Sequence, residues 1–280
     1  MTLKQRTMIT IKNLAFQYKK KKPLFTDFSM DIENGSIVGI LGKNGAGKST
    51  LLNVITGLLF PLSGKVDVNG FTPAHRTPAF LADIYMVQEE FSFPSVSIDC
   101  YLKATVPFYP SFDMEKAERI FKEFELQRKH HLNKLSHGQR KKFLIAFALA
   151  SNCKVLIFDE PTNGLDIPSK SLFRKILVSS VTEDQLVLIS THQVKDVEAI
   201  IDNVIVIDNG NMVYQEKMAD IDKKLHFETV PSLDEVDGLI YHERCPSGYR
   251  IIVPTISHSE SNIDLELLFN AIVNKSIKTR

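Results

Sequence analysis

The chain has 280 residues, of which 44% are hydrophobic and 24% charged, a composition typical of a soluble globular protein with one large domain or a large domain plus a smaller one. Lysine and arginine together number 34 and aspartate and glutamate 33, so the net charge of +1 gives no electrostatic reason to expect a nucleic-acid partner. The longest apolar run, Phe143 to Ala150, is far shorter than the roughly 20 residues that span a bilayer, so any work at a membrane is expected from outside the lipid.

The cysteines and the first residues give further exclusions. Cys100, Cys153 and Cys245 are scattered and have neither the spacing of a metal site nor that of a disulfide framework, which favours a reducing compartment. Residues 1–6 lack a long apolar core, so we expect no signal peptide.

The first predicted elements form an antiparallel β layer. Residues 9–18 alternate partly between apolar and polar side chains, Lys19–Lys22 break the pattern, and Leu24–Ile32 resume it. The four lysines favour a solvated turn over a specific anion site. The aromatic ring of Tyr18 could stack on a nucleotide base or pack at the end of a strand, and its position alone leaves both interpretations open.

A glycine-rich segment then follows the apolar strand Ser36–Leu41. Gly42–Thr50 has the spacing of a phosphate loop, and Leu51–Ile55 continues as a helix, which is the strand–loop–helix context that this motif requires. Its backbone N–H groups and the helix N-terminus would cradle a polyphosphate. We expect Lys48 to contact the β- and γ-phosphates and the Ser49 hydroxyl to bind Mg²⁺. The residues predicted to bind the nucleotide here are Gly42, Asn44, Gly45, Ala46, Gly47, Lys48, Ser49 and Thr50.

The middle of the chain changes from strands to helices. Ile84–Val87 is predicted to be a core strand. Residues from about 91 to 135 are predicted to be mainly helical, although prolines interrupt them. Met114 to Phe124 carries an apolar stripe at helical spacing. Ser136 is placed to cap a further helix that runs through Ala150.

Strands return in the next part of the chain. Val155–Phe158 and Leu186–Ser190 are unbroken apolar runs, typical of strands inside a parallel sheet that is covered on both faces. Residues 204–213 predict a hairpin that turns at Asn209-Gly210. Beyond about residue 218 the chain is more polar and irregular.

These patterns predict two parts. The first is a nucleotide-binding domain over residues 1–217, with a helical subdomain at about 91–150. The second is a small α+β extension over residues 218–280.

Polar residues follow each of four predicted core strands, and ligands of open α/β sheets bind at the carboxyl ends of the strands. One strand ends at the phosphate loop. Asp159, after an apolar strand, is a candidate Mg²⁺ ligand, and Glu160 can accept a proton from an attacking water or orient it. His192 could donate a hydrogen bond to a phosphate or to that water. The Gln88 amide could contact Mg²⁺ or water.

A second anion site is predicted at Ser136-His137-Gly138-Gln139, where serine and glycine open a helix. One polyphosphate already has its own loop. A second site of this kind suggests that two copies of the chain sandwich the nucleotide between them.

Together these segments resemble an ABC-type ATPase, and over about residues 8–215 the chain resembles the ATP-binding subunit of an ABC transporter. The segment Leu135–Gln139 matches the signature of that family. The resemblance implies an α/β phosphate-loop NTPase fold with a mostly parallel core sheet, an N-terminal antiparallel β layer, an inserted helical subdomain and a small C-terminal appendage. The segments that carry it are Gly42–Thr50, Gln88, Leu135–Gln139, Val155–Pro161, Gly164-Leu165-Asp166 and His192.

The resemblance also implies roles for residues in a dimer that encloses ATP and Mg²⁺, formed by two like or two different ATPase subunits. The phosphate loop, Asp159, Glu160 and His192 of one protomer would face Ser136, Gly138 and Gln139 of the other. Asp166 would lie at the dimer seam.

Further roles follow from the same resemblance. Tyr18 would stack on adenine, and Gln88 would link the nucleotide site to the membrane partner. The helical stretch would receive that partner in a groove. Four apolar residues could line the groove or belong to the core: Phe91, Phe93, Val96 and Ile98.

Two segments depart from the common family pattern. His137 interrupts the usual glycine pair of the signature, so its side chain must point away from the nucleotide or add a titratable contact. Ile167-Pro168 after Asp166 differs slightly from the usual continuation, with no clear consequence for catalysis.

The C-terminal segment Asp264–Phe269 resembles the ending of bacterial exporter-type ATPases whose membrane subunit is a separate chain.

The sequence thus predicts a cytoplasmic ATP hydrolase, bound at the inner face of the cell membrane, that drives export through separate transmembrane subunits. The alternative is an ABC-type ATPase of a non-transport complex on nucleic acid or ribosomes. Such relatives usually carry a second ATPase core or a long coiled-coil insertion, and the sequence has neither. A weakly hydrolysing regulatory subunit is a third option, because of His137.

Overall fold

The computed structural model describes residues 7–234, 236–255 and 262–277, and the elements below are those of this part of the chain. The expectation that no signal peptide is present concerns residues 1–6, which lie outside it. The strands are β1 Thr7–Gln17, β2 Pro23–Glu33, β3 Ser36–Leu41, β4 Ser63–Val68, β5 Ile84–Val87, β6 Val155–Asp159, β7 Leu186–Thr191, β8 Asn203–Asp208, β9 Asn211–Lys217, β10 Leu225–Val230, β11 Tyr241–Cys245 and β12 Gly248–Pro254. The helices are α1 Lys48–Ile55, α2 Pro78–Ala82, α3 Ile98–Thr105, α4 Met114–Glu123, α5 His137–Ala150, α6 Ile167–Ser180, α7 Met218–Lys224 and α8 Leu265–Val273.

A six-stranded sheet in the order β5-β6-β7-β3-β8-β9 forms the centre of the fold. All neighbouring pairs are parallel except β8–β9, the predicted hairpin. Strands β3, β6 and β7 are buried along their whole length, because the sheet is covered on both faces. On β3, Ile37 and Leu41 pack with the helices, whereas Val38 and Ile40 pack with the N-terminal strands. The mostly parallel core sheet is confirmed.

The N-terminal β layer is a three-stranded antiparallel sheet in the order β2-β1-β4. Side chains of β2 alternate between buried and exposed, as expected for a sheet with one face on the core. Helix α1 lies between this layer and the central sheet, and its residues Leu51, Leu52 and Ile55 are completely buried there. Lys19–Lys22 form an exposed turn.

The helical part packs on the other face of the central sheet around an aromatic cluster. Phe147 of α5 is fully buried and its ring lies 5.0–6.3 Å from those of five other aromatic residues. Ser136 caps α5 as predicted, and Asp113 caps α4 with a 2.9 Å bond from the backbone N–H of Lys116. The partners of Phe147 are Tyr85, Tyr101, Tyr109, Phe112 and Phe143.

The C-terminal unit is a three-stranded antiparallel sheet in the order β10-β12-β11, covered by α8. Ile252 of β12 and Leu268 of α8 join the same apolar cluster as the helical part, so this unit shares a core with the main body. The predicted division at residue 217 would fall between β9 and α7; it stays a prediction, as does the boundary of the helical subdomain.

Two absences hold for the part of the chain that the structure describes. No helix there combines the length and the apolar character needed to cross a bilayer. No group of three or more histidine, cysteine, aspartate or glutamate side chains is arranged there to hold a metal ion.

The three cysteines are free, and burial raises the pKa of the Cys153 thiol to about 12, so this cysteine is a protonated core residue at neutral pH.

The aromatic cluster gives a stability prediction. Replacing Phe147 with alanine removes the ring shared by α5 and its neighbours, and we expect the free energy of unfolding to fall by about 3–5 kcal/mol. Urea denaturation followed by circular dichroism measures this change. As a control, Phe108→Ala removes a ring that is 70% exposed and should change the unfolding free energy by no more than about 0.5 kcal/mol. Equal effects of the two substitutions would contradict the assignment of Phe147 as the centre of the cluster.

Candidate functional site

The phosphate loop and Glu160 line one pocket, and His192 contacts Glu160 beside it. Strands β5, β6, β7 and β3 are consecutive in the sheet, so their carboxyl ends form one continuous edge. The phosphate loop lies at this edge and, with the turn after β1, encloses a cavity of about 640 Å³. The lining residues are Tyr18, Lys21, Lys22, Pro23, Leu24, Asn44, Gly45, Gly47, Lys48, Ser49, Thr50, Glu89 and Glu160.

The phosphate loop turns sharply into α1 at Gly47. This residue has a φ of 113°, a conformation that glycine adopts without strain, and an added Cβ would lie 3.0 Å from the ring of Phe25. Helix α1 then begins at Lys48, so its N-terminal N–H groups face the pocket. This is the geometry that binds phosphate groups.

Lys48 is buried at the floor of the pocket. Its Nζ donates hydrogen bonds to the carbonyl oxygens of Gly42 at 2.8 Å and Lys43 at 3.3 Å, and it lies 3.8 Å from Oε1 of Glu160. Burial lowers the pKa of the Lys48 ammonium from its ordinary value, and the carboxylates of Glu160 and Asp159 act in the opposite direction. These carboxylates favour a charged ammonium at the point where phosphate would bind.

Asp159, the last residue of β6, is buried, and the hydroxyl of Ser190 on β7 donates a hydrogen bond to its Oδ1. The register of the two strands pairs these residues directly. Ser49 stands at the start of α1 on the pocket wall. A carboxylate and a hydroxyl fit Mg²⁺, which prefers oxygen ligands and takes its others from phosphate and water.

Glu160 is the most tightly held residue of the site. Its φ of 47° places a side-chain-bearing residue in the left-handed region, a strained state that is common at functional sites. The carboxylate Oε1 accepts hydrogen bonds from the backbone N–H of His192 at 3.0 Å and from its ring Nδ1 at 2.8 Å. Oε2 accepts one from the hydroxyl of Thr191 at 3.1 Å. The carboxylate is therefore held in one direction.

His192 lies beside this carboxylate with its side chain 36% exposed. Because an ionised carboxylate only accepts hydrogen bonds, the ring contact assigns the proton to Nδ1. Nε2 is then the ring atom left for contact with a phosphate or a water molecule. The structure thus brings together Asp159, Glu160 and His192, as predicted from the ends of β6 and β7.

Tyr18 lines the pocket, whereas Gln88 does not. The Tyr18 ring lines the pocket, 38% exposed, with its hydroxyl 2.9 Å from that of Thr50 and its ring 4.9 Å from that of Phe16. It therefore both packs at the strand end and offers a face to the pocket. Gln88 is exposed after β5, and its neighbour Glu89, rather than Gln88 itself, lines the cavity.

The signature segment lies outside the cavity, so one chain does not bring it together with the phosphate loop. The Ser136 hydroxyl accepts from the backbone N–H of Gln139 at 3.2 Å, while the Gln139 side chain accepts from that of Ser136 at 3.0 Å. Asp166 likewise caps α6, accepting from the Ser169 N–H at 2.8 Å, and its hydrogen bonds with Ser169 lower the pKa of its carboxyl group. Ser136, Gln139 and Asp166 are exposed, and Gly138 is partly exposed.

His137 turns aside from the start of α5. Its ring stacks on Phe91, with centroids 5.1 Å apart and planes at 21°. Gly138 sits so close to the next loop that an added Cβ would lie 3.0 Å from the carbonyl oxygen of Gly164. Phe91 and Phe93 pack against the apolar core in this region, together with Val96 and Ile98.

An apolar groove of about 880 Å³ lies instead between the end of α1, helix α2, strand β5 and the segment after α3. Phe108 is 70% exposed at its edge and Leu58 is 44% exposed. The groove is lined by Thr56, Leu58, Arg76, Pro78, Ala79, Leu81, Ala82, Ile84, Met86, Thr105, Pro107, Phe108, Tyr109 and Pro110.

Sequence patterns miss a polar chain that joins three loops of the site. Asn163 donates to the Glu89 carboxylate at 2.9 Å and accepts from the Gln193 side chain at 2.9 Å. Lys170 of α6 donates to Gln193 at 3.1 Å. Glu89, Asn163 and Gln193 are distant from one another in sequence and belong to no motif, so only their proximity along the chain to Gln88, Glu160 and His192 could have drawn attention to them.

Comparisons with known proteins agree with this geometry. Residues 25–163 match the ABC transporter family. The chain is 31% identical over 217 residues to the molybdate import ATP-binding protein MolC of Haemophilus influenzae, covering 74% of this chain and 82% of that protein. It is 33% identical over 221 residues to the ABC transporter ATP-binding protein NatA of Bacillus subtilis, covering 74% of this chain and 89% of that protein.

A solved ATP-binding subunit of an ABC transporter has the same fold, with a TM-score of 0.69 at 24% identity over 77% of this chain and 92% of that one. Relatives named for import and relatives named for export are both among the matches. Domains of this kind bind ATP and are in general ATPases. The phosphate loop, the carboxylates at the end of β6 and the similarity to these relatives lead to one conclusion: the chain belongs to the family of ABC transporter ATP-binding subunits.

Proposed function

We propose that the chain is a Mg²⁺-dependent ATP hydrolase that drives export through separate transmembrane subunits. One observation carries the assignment of ATP hydrolysis: the buried Glu160 carboxylate, held by His192 and Thr191, lies 3.8 Å from Lys48 in the pocket of the phosphate loop. A fixed carboxylate beside a phosphate-binding cation is the arrangement that directs water at a terminal phosphate.

The loop amides and Lys48 bind the phosphates. The Lys48 ammonium exchanges the carbonyl oxygens of Gly42 and Lys43 for oxygens of the β- and γ-phosphates. Ser49 and Asp159 hold Mg²⁺, which neutralises charge on the phosphates when bound. Asn44, Gly45, Gly47 and Thr50 complete the wall around the phosphates, with Ala46 behind them.

Glu160 activates the attacking water. The water oxygen forms a bond to the γ-phosphorus while the bond to the β–γ bridging oxygen breaks, and the water proton passes to Glu160. ADP and phosphate are the products. His192 holds the carboxylate through Nδ1 and contacts the γ-phosphate or the water through Nε2.

A second copy of the chain, or a related ATPase chain, completes the site. Ser136, Gly138 and Gln139 lie at the N-terminus of α5, where a helix attracts anions, and they are at least partly exposed. We infer that they contact the γ-phosphate held by the partner protomer, with Asp166 at the seam. Tyr18 stacks on the adenine of its own nucleotide.

The apolar groove is the proposed contact with the transmembrane subunits, at the inner face of the membrane. An apolar helix of a permease fits a groove in which Phe108 and Leu58 are exposed, and Gln88 lies at the end of β5 between the groove and the pocket. The direction of transport rests on Asp264–Phe269 alone, whose resemblance to exporter-type endings favours export. Transport by vesicles that contain the chain with its permease measures that direction.

Glu160→Gln tests the chemistry. The amide keeps the size of the side chain but cannot accept the proton of water, so we expect turnover to fall roughly 10²–10⁴-fold while ATP still binds. Phosphate release and the binding of a fluorescent ATP analogue measure the two effects. Near-normal phosphate release by this variant would remove Glu160 from the role of base.

The same variant tests the dimer. If Glu160→Gln binds ATP without hydrolysing it, we expect Mg²⁺-ATP to convert a monomer into a dimer in size-exclusion chromatography with light scattering. A second substitution, Ser136→Ala, should weaken that dimer, since it removes a proposed contact with the partner's phosphate. A monomer throughout, despite demonstrated binding of ATP, would contradict a dimer formed by this chain alone.

A further inference from the structure

Lys141 is a buried cation that the proposed mechanism does not use. It lies on α5, two residues after Gln139, and its exposed fraction is 0%. Lysine is among the residues least often buried completely, because removing its charge from water is costly without a partner. A lysine in this position therefore needs a physical explanation.

The partner is the main chain of Glu160. The Lys141 Nζ donates a hydrogen bond to the carbonyl oxygen of Glu160 at 2.9 Å, and it lies 6.0 Å from the ring centroid of Phe91. Burial lowers the pKa of this ammonium, while the carboxylates of Glu89, Glu160 and Asp159 act to raise it. The lysine thus lies among the acidic groups of the site while its hydrogen bond goes to the backbone.

That hydrogen bond acts where the backbone is strained. Glu160 has a φ of 47°, and its own N–H donates to the carbonyl oxygen of Ser190 at 3.0 Å. Lys141 fixes the carbonyl group on the other side of the same residue. With both peptide groups held, the Cα–Cβ direction of Glu160 is set, which directs the side chain toward the groups of His192 and Thr191 that bind its carboxylate.

Another buried lysine, outside the site, shows what a purely structural role looks like. Lys116 of α4 donates to the carbonyl oxygen of Ser180 at 2.8 Å and to the side chain of Asn152 at 2.8 Å. This contact joins α4 to the end of α6 and involves none of the residues that line the nucleotide pocket. Lys116 is the matched control for Lys141.

We propose that Lys141 is a positioning residue for ATP hydrolysis, which aims the Glu160 carboxylate by holding its main-chain carbonyl group. The inference rests on the proposed role of Glu160 as base. Helix α5 would then have two roles. Its N-terminal signature segment faces the partner protomer, and its Lys141 side chain holds Glu160 of the same protomer.

Lys141→Met, Lys141→Gln and Lys116→Met, made in the full chain, test the proposal. Methionine keeps the length of the side chain but has no donor, so kcat should fall roughly 10- to 100-fold with little change in the affinity for Mg²⁺-ATP. Glutamine can still donate to the carbonyl group and should recover part of that loss. Lys116→Met should lower the melting temperature and leave kcat and KM unchanged.

A double-mutant cycle separates a role through Glu160 from general damage. If Lys141 acts only by aiming Glu160, adding Lys141→Met to Glu160→Gln should cause no further loss of turnover. Hydrogen exchange of the peptide around residue 160 gives a readout without activity: Lys141→Met should speed exchange of the Glu160 amide, and Lys116→Met should not.

Two results would overturn the proposal. One is a Lys141→Met chain with normal kcat and normal exchange at residue 160, whatever its stability. The other is a loss that is fully additive with that of Glu160→Gln. Failure of the proposed function is a separate result, because it would appear as normal turnover of Glu160→Gln itself.

Discussion

The hydrogen bonds around Glu160 depend on the parallel pairing of β6 with β7, in which Asp159 stands directly beside Ser190. That register places the Ser190 hydroxyl on Asp159 and brings Thr191 and His192 to the Glu160 carboxylate. A shift by one residue would turn every side chain to the opposite face and separate all of these groups. The parallel pairing of these two buried strands is therefore a requirement of the chemistry as much as of stability.

Sequence patterns predicted what is local. The spacing of Gly42–Thr50 and the apolar runs of β3, β6 and β7 were enough to place the phosphate loop and the carboxylates at one edge, because parallel strands end together. The contacts of Lys141 and Asn163 could not be predicted, since each joins segments that are distant in sequence. The direction of the His137 ring depends in the same way on Phe91. No helix is predicted over Ile167–Ser180, although Phe173, Ile176 and Leu177 of α6 recur at helical spacing and are buried.

The C-terminal unit meets the main body just behind His192. Glu266 of α8 pairs with Lys195 of the main body at 2.9 Å. Such an exposed ion pair contributes little stability, so the shared apolar core carries most of the attachment. Lys195 is three residues from His192, which makes this unit a neighbour of the site although it contributes no residue to the lining of the pocket.

The close approach of Gly138 to the loop before α6 limits which residue the start of α5 can carry. An added Cβ would lie 3.0 Å from the carbonyl oxygen of Gly164, which is a backbone atom and cannot rotate out of the way like the end of a flexible side chain. Any larger residue at position 138 would therefore push the start of α5 and this loop apart by a few tenths of an ångström. Space favours glycine here, although alanine has the higher helix propensity.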